Sequence, residues 1–293
     1  MNTLAKDIPQ YGGTSPSQAA AHAAAGVNVS GRLERLPMTG YQRMLFAIIA
    51  TAWLFDSIDL GIMTFMLGTI KAEFGLTAAQ TGMLASSSFL GMFLGAAVAG
   101  MLADKFGRRP VFQVSMIFWG VGSLMCGYAA NVDELMGWRV LLGFGMGMEF
   151  PIGLAMVSEI VPADKRGRYV AILEGFWPLG FIVAGVIAYL SLGHIGWRGI
   201  FIALAVPAVF VLVVRRLVPE SARWLEDAGR HADAERVMSH METKVMQSAG
   251  LRSLPAPRRA VAVSQYQTRG SLVGELFKGI YAKRTIMLWS LWF

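Results

Sequence analysis

The sequence GMLADKFGRRP, residues 100–110, places a dense group of charged side chains in a tight turn between two long apolar segments. The charged residues that surround the glycine of this turn are Asp104, Lys105, Arg108 and Arg109. The apolar segments on either side are long enough to cross a membrane as helices. Short cytoplasmic loops concentrate Lys and Arg. The turn therefore predicts a polytopic membrane protein, with this hairpin on the cytoplasmic side.

The composition of the 293-residue chain agrees, with 55% hydrophobic and only 15% charged residues. Soluble domains carry about 25% charged residues, and a membrane-spanning helix needs about 20 apolar residues. Segments that meet this length lie at about 44–70, 80–103, 110–130, 135–160, 169–192 and 198–217. We therefore predict an all-α membrane protein, with a six-helix transmembrane bundle over residues 43–217.

The segments that flank this bundle are more polar. Residues 1–42 are rich in Ala, Ser, Gly and Pro and predict a disordered cytoplasmic tail. Residues 218–282 predict a cytoplasmic connector with amphipathic helices, and residues 283–293 predict the start of a truncated seventh transmembrane helix. We expect the first half of a longer protein, or a truncated product that is inactive alone. Its partners would be the lipid bilayer and either a C-terminal half or a second copy of the chain.

The net charge of +7 is distributed unevenly. The predicted cytoplasmic segments hold 23 of the 26 Lys and Arg residues, and the exceptions are Lys71, Arg139 and Arg198. This asymmetry predicts a cytoplasmic N-terminus and a multi-pass protein of a plasma membrane, most simply a bacterial inner membrane. Basic flanks facing anionic lipid explain the charge, so we expect no nucleic-acid partner.

Ionisable residues inside the predicted spans are costly in hydrocarbon and suggest a function. They are Asp56, Asp59, Arg139, Glu149 and Glu174. Asp56 and Asp59 are three residues apart and share one face of the first span. We predict a polar cavity among the first, fourth and fifth spans, near which Pro151 and Pro178 interrupt the helices.

These charges allow two interpretations. In the first, the charges form interhelical ion pairs or hydrogen bonds and have no further role. For Asp56 this explanation is as good as a functional role. Alternatively, Asp59 and Arg139 couple transport to protons, because separating an acid from a neighbouring Arg changes the proton affinity of the acid. We favour the second interpretation for Asp59 and Arg139.

Small residues predict close helix contacts. Gly91 and Gly95 lie four apart in the second span, and Gly143 and Gly147 do so in the fourth. This spacing puts each pair on one helix face and lets two backbones approach.

The sequence offers no site for an enzyme. The four His residues are scattered in loops and the tail, and the single Cys126 lies in an apolar span. We expect no catalytic residues, no metal and no organic cofactor.

Four motifs in order resemble the major facilitator superfamily between about Tyr41 and Leu225. They are GMLADKFGRRP, RVLLGFGMGMEFPIG, SEIVPADKRGR and PESARWL. The last two are similar to the sugar-porter and related metabolite branches. FDSID and LEGFWPLG look more like the branch of nicotinate and aromatic-acid permeases, and two sugar-binding Gln positions fall here on Glu174 and Phe181.

The resemblance implies a fold and a mechanism. It implies the N-terminal bundle of a transporter with alternating access, driven by a proton gradient and carrying a small organic acid or related metabolite. Asp59, Arg139 and Asp56 would be the proton-coupling residues, and the substrate path would be lined by Glu174, Trp177, Glu149 and Phe181. A cytoplasmic gating network would consist of Asp104, Arg108, Arg109, Glu159, Arg166, Glu220 and Arg223.

Two alternatives stay open at the level of sequence. A non-transporting membrane scaffold or sensor, or an inactive truncation product, would explain the short seventh span. A sugar is the alternative substrate.

Overall fold

A computed structural model of the chain describes residues 28–257 and 277–292. Within those ranges the secondary structure is helical, with no strand. The helices are α1 (Val29–Glu34), α2 (Gly40–Phe74), α3 (Ala78–Phe106), α4 (Arg108–Tyr128), α5 (Val132–Ile160), α6 (Ala163–Ala205), a 3-10 turn (Val206–Phe210), α7 (Val211–Leu217), α8 (Ala222–Asp227), α9 (His231–Ala249) and α10 (Gly279–Trp292). Helices α1–α9 belong to one compact unit, whereas α10 belongs to a second unit.

Five continuous helical segments of the described residues are long and apolar enough to cross a membrane, and the last of them covers residues 163–210. This last segment contains two of the six predicted spans, because the helix is interrupted at Gly196, with φ 65° and ψ 175°. Just after this break, Trp197 donates a hydrogen bond to Glu73 near the end of α2. Val214 packs instead in the same cluster as Leu45, near the start of α2. Within the described residues, the segment 40–217 therefore crosses the bundle six times, with the last two crossings on either side of Gly196.

Glycines bring α3 and α5 into direct backbone contact. A Cβ atom on Gly91 would overlap the Val140 carbonyl, and one on Gly143 would overlap the Ser88 carbonyl. The close contact predicted from the Gly spacing is thus confirmed.

The structure corrects the prediction that prolines interrupt the helices. Pro151 and Pro178 lie inside α5 and α6, and both helices continue through them. Each proline lacks the N–H that a carbonyl four residues earlier would accept, but the surrounding packing keeps the backbone helical.

The structure also differs from the predicted tail. Residues 29–34 form α1 instead of continuing a disordered segment, and Leu33 and Leu36 are buried against α9. A stretch of six helical residues has too few apolar positions to be recognised by periodicity. Residues 1–27 of that tail, and 258–276 of the connector, lie outside the described residues.

The first part of the connector contains the short helix α8 and the longer helix α9. The residues of α9 that recur every three or four positions, Ala234, Met238, Met241 and Val245, are buried together with Leu225 of α8. We call the end of the bundle that contacts these helices the connector end.

Candidate functional site

Asp59 of α2 and Arg139 of α5 form a salt bridge inside the bundle. Arg139 Nη1 lies 2.5 Å from Asp59 Oδ1, and both side chains are fully buried. The other Asp59 oxygen, Oδ2, lies 3.2 Å from the Ser123 hydroxyl of α4. The guanidinium also faces the ring of Phe201, 5.7 Å from its centroid. Residues of α4, α5 and α6 therefore surround the Asp59 carboxylate and its partner Arg139.

Two more acids, Asp56 of α2 and Glu149 of α5, are buried inside the bundle. Each is only 2% exposed, and neither forms a salt bridge with a described residue. Asp56 Oδ2 and Glu149 Oε1 have no hydrogen-bond partner among the described residues. Asp56 lies within electrostatic range of both Glu149 and Asp59. Buried carboxyl groups without a cation partner are costly, so this acidic pair is a candidate for proton binding.

Four aromatic side chains extend from this acidic pair along α2, α5 and α6. The ring centroids of Trp53 and Phe150 are 4.4 Å apart, and those of Phe150 and Trp177 are 5.0 Å apart. Phe181 follows at 6.4 Å from Trp177. We call Trp53, Phe150, Trp177 and Phe181 the aromatic row. The buried Trp53 Nε1 has no acceptor among the described residues, so this indole is a free donor.

The structure brings most of the predicted site residues together. The buried cluster contains Asp56, Asp59, Arg139 and Glu149, and the aromatic row contains Trp177 and Phe181.

Glu174 is the exception, because it is exposed on the surface of α6. Leu173 is fully buried, and the next residue of a helix is turned by about 100°. Glu174 therefore does not join the predicted group of buried charges.

Sequence reasoning missed three residues of the site. Trp53 lies three positions before Asp56, and Phe150 directly follows Glu149. Their closeness in sequence to the two acids could have identified them as site residues. Ser123 lies in an apolar span with other small residues, and nothing in its local sequence distinguishes it.

The residues of the predicted gating network lie at the connector end, where Glu220 caps the start of α4. Glu220 Oε1 accepts hydrogen bonds from the backbone N–H groups of Arg108 at 2.9 Å and Arg109 at 3.2 Å. Arg108 in turn forms a salt bridge of 2.7 Å with Asp104. A carboxylate at a helix N-terminus is stabilised by the exposed N–H groups and the helix dipole. The connector is thus attached to the hairpin at 100–110.

The other members of this network are less directly connected. Glu159 lies within electrostatic range of Arg108, Arg223 and Glu220. Arg166 forms no salt bridge with any residue that the structure describes. The structure therefore shows contacts or electrostatic interactions that link six of the seven network residues, and none of these interactions includes Arg166.

A second charge cluster, which the sequence analysis did not identify, fixes α1 to α9. Arg32 forms two hydrogen bonds of 2.9 Å with the Glu242 carboxylate, and Arg35 donates a third of 2.6 Å. The hydrogen bond to Glu242 raises the pKa of Arg32 further above its usual value. Burial favours a higher pKa for Glu242, but the hydrogen bonds and charges of the two arginines outweigh burial and lower the pKa.

The sequence model of the Major Facilitator Superfamily matches residues 45–293 of the chain. The niacin transporter NiaP of Acinetobacter baylyi is 34% identical over 262 residues, which are 89% of this chain and 58% of that protein. The 4-hydroxybenzoate transporter PcaK of the same organism is 30% identical over 259 residues, covering 88% of this chain and 56% of PcaK. The chain spans about half the length of the curated relatives it matches.

A solved structure of the proton:xylose symporter XylE is similar in fold. The TM-score is 0.64, the sequence identity is 21%, and the similarity covers 72% of this chain and 52% of that chain. At this identity the similarity shows the fold alone, which is an all-α bundle of the same architecture.

Proposed function

Because the chain belongs to the major facilitator superfamily, and so to a family of multi-pass membrane proteins, we propose that it takes part in proton-coupled transport of a small aromatic acid. The observation that carries this proposal is the buried group of Asp56, Asp59, Arg139 and Glu149 next to the aromatic row. Transport by alternating access would place this site at the interface with a second bundle. The membrane would be the inner membrane of a bacterium.

The aromatic row supports an aromatic substrate over a sugar. Aromatic rings pack favourably edge-to-face or offset against one another, and Trp177 already has this type of contact with Phe150. A sugar would need several hydrogen-bond partners for its hydroxyls, whereas the two Phe rings of the row have no hydrogen-bonding group and each Trp indole has one N–H donor. Two relatives are named as transporters of niacin and 4-hydroxybenzoate, which are aromatic acids.

The acidic pair supports proton coupling. Two ionised carboxylates at Asp56 and Glu149 would repel each other and lack a cation partner, so at least one is expected to bind a proton. Asp59 is neutralised by Arg139 in this conformation. If α2 and α5 shift during transport, Asp59 loses that partner and binds a proton. A proton and a substrate carboxylate could then cross together.

Two other groups would serve the transport cycle. Glu174, exposed three residues before Trp177, would meet the substrate from the surface of α6. The contacts of Glu220 with the start of α4 would hold the connector end closed and release it once per cycle. A few kcal/mol across this network is enough to shift such an equilibrium.

The test is uptake of radiolabelled nicotinate and 4-hydroxybenzoate into proteoliposomes that contain the protein expressed from its complete gene. We expect uptake driven by an inward proton gradient, and we expect Asp59→Asn to abolish this accumulation. The variant should retain exchange of labelled for unlabelled substrate, because exchange needs no net proton movement. Asp133→Asn, which removes an exposed acid at the start of α5, is the matched control.

Three outcomes would contradict the proposal. Accumulation by Asp59→Asn at the wild-type level would refute the coupling role of Asp59. Transport of xylose in place of both aromatic acids would refute the substrate class. The absence of any transport, from a protein that is folded and correctly inserted, would favour a scaffold or sensor.

A further inference from the structure

Ser123 of α4 differs from the other buried serine of the same helix. Ser115 donates its hydroxyl to the Phe112 carbonyl of its own helix, at 2.7 Å, as serines in helices commonly do. Ser123 Oγ lies instead between two other helices, 3.2 Å from Asp59 Oδ2 of α2 and 3.1 Å from the Phe201 carbonyl of α6. Ser123 is fully buried, so no solvent competes for these contacts.

The surroundings of Asp59 leave one of its two oxygens for this serine. Arg139 of α5 binds Oδ1, and Ser123 is the hydrogen-bond partner of Oδ2. Among the described residues, Asp56 of α2 and the Cys126 thiol of α4 also lie within electrostatic range of Asp59. Phe201 of α6 contributes its ring and its backbone carbonyl. Ser123 therefore contacts the Asp59 oxygen that Arg139 does not bind.

We propose that Ser123 is a positioning residue that gives Asp59 Oδ2 a hydrogen-bond partner in both protonation states of Asp59. A hydroxyl has one proton to donate and can also accept. When Asp59 is ionised, Ser123 donates to Oδ2. When Oδ2 carries a proton, Asp59 donates to Ser123 Oγ, and the Ser123 proton turns to the Phe201 carbonyl. The exchange moves one proton onto Asp59 and keeps a hydrogen-bond partner for Asp59 Oδ2 and for the Ser123 hydroxyl in both states.

The rotation of the Ser123 hydroxyl between its two acceptors also links the charge of Asp59 to α6. Protonation of Asp59 makes the hydrogen bond from Ser123 to the Phe201 carbonyl, and deprotonation breaks it. Phe201 lies in the segment that follows the break at Gly196. Ser123 would thus communicate the protonation state of α2 to the segment of α6 that begins at Trp197.

The inference rests on the proposed coupling role of Asp59, and its test does not depend on transport. The measurement is a pH titration by infrared spectroscopy of the purified protein, in which the carboxylic-acid band that Asp59→Asn removes is assigned to Asp59. Ser123→Ala removes the hydroxyl group that contacts the Asp59 carboxyl group. Ser115→Ala is the matched control because it removes a buried hydroxyl from the same helix. Melting temperatures establish that both variants are folded.

We expect Ser123→Ala to shift the frequency of this band, because the protonated Asp59 of the variant no longer donates its hydrogen bond to Ser123 Oγ, while Ser115→Ala leaves the frequency unchanged. Equal band frequencies in Ser123→Ala and Ser115→Ala would overturn the inference. Proton-driven uptake by Asp59→Asn would refute the proposed function instead, so the two failures are distinguishable.

Discussion

Individual glycines determine how closely α3 and α5 approach, and they allow a direct test. We expect Gly91→Ala to destabilise the bundle by about 1–3 kcal/mol, since the added methyl group would force the two backbones apart. The reason is that a Cβ atom there would overlap the Val140 carbonyl and the Phe144 backbone nitrogen. Gly100→Ala is the control on the same helix, because a Cβ atom at Gly100 would meet no atom within 4 Å. The measurement is thermal unfolding in detergent, and equal losses in both variants would contradict this account.

At the same scale, the sequence predicts some residues of the site better than others. Asp59 and Arg139 are conspicuous because charges in apolar spans are costly, and their contact follows from the need for neutralisation. Ser123 is not predictable in this way, since a hydroxyl costs little in an apolar helix and its partners belong to α2 and α6. Glu174 shows the converse: its charge suggested burial, but its position on the helix leaves it exposed.

At the scale of elements, the docking of α1 onto α9 depends on the ionised form of Glu242. The pKa of Glu242 in the folded protein lies below the ordinary value of 4.5. Its stabilising contribution is therefore complete above that value and is lost as the pH falls through the lower folded pKa. We expect the protection of the α1 amides from hydrogen exchange, corrected for intrinsic rates, to decrease over this acidic range.

The variant Glu242→Gln should reproduce the acid state at neutral pH. Hydrogen bonds to a charged group contribute about 1.5–3 kcal/mol, so protection in α1 should fall about tenfold or more. Asp233→Asn is the control on α9, because it removes an acid whose pairs with Arg230 and Arg236 are largely exposed. Unchanged protection of α1 in Glu242→Gln would show that the apolar contacts of Leu33 and Leu36 hold the segment alone.

Elements differ in how far the sequence predicts them, and the reason is their length. Helices α2–α5 each carry enough apolar residues for hydropathy to identify them. Helix α1 has six residues, and its stabilising partner Glu242 lies 210 residues from Arg32 in the chain. No local pattern encodes a contact at that separation. The break at Gly196 was predictable as a boundary between two spans, although the helix resumes directly after it.

At the scale of the whole molecule, the charge asymmetry predicts that the connector end faces the cytoplasm. Positively charged residues near the ends of membrane spans are retained on the cytoplasmic side. The hairpin at 100–110, with Arg108 and Arg109, contacts the connector through Glu220. At the opposite end, Arg198 forms a salt bridge with Glu73, so part of its charge is neutralised within the protein. The connector end therefore has the larger positive charge available to orient the bundle.

This orientation can be tested by cysteine labelling from outside intact cells. The background is Cys126→Ala, which removes the single native cysteine, and exposed sites are then changed at each end in Gln247→Cys and His194→Cys. We expect a membrane-impermeant maleimide to label the His194 variant in intact cells and the Gln247 variant only after permeabilisation. Labelling of both variants after permeabilisation is the control for reactivity. The reverse pattern would place the connector outside, and it would mean that the hairpin at 100–110 does not orient the bundle through its positive charge.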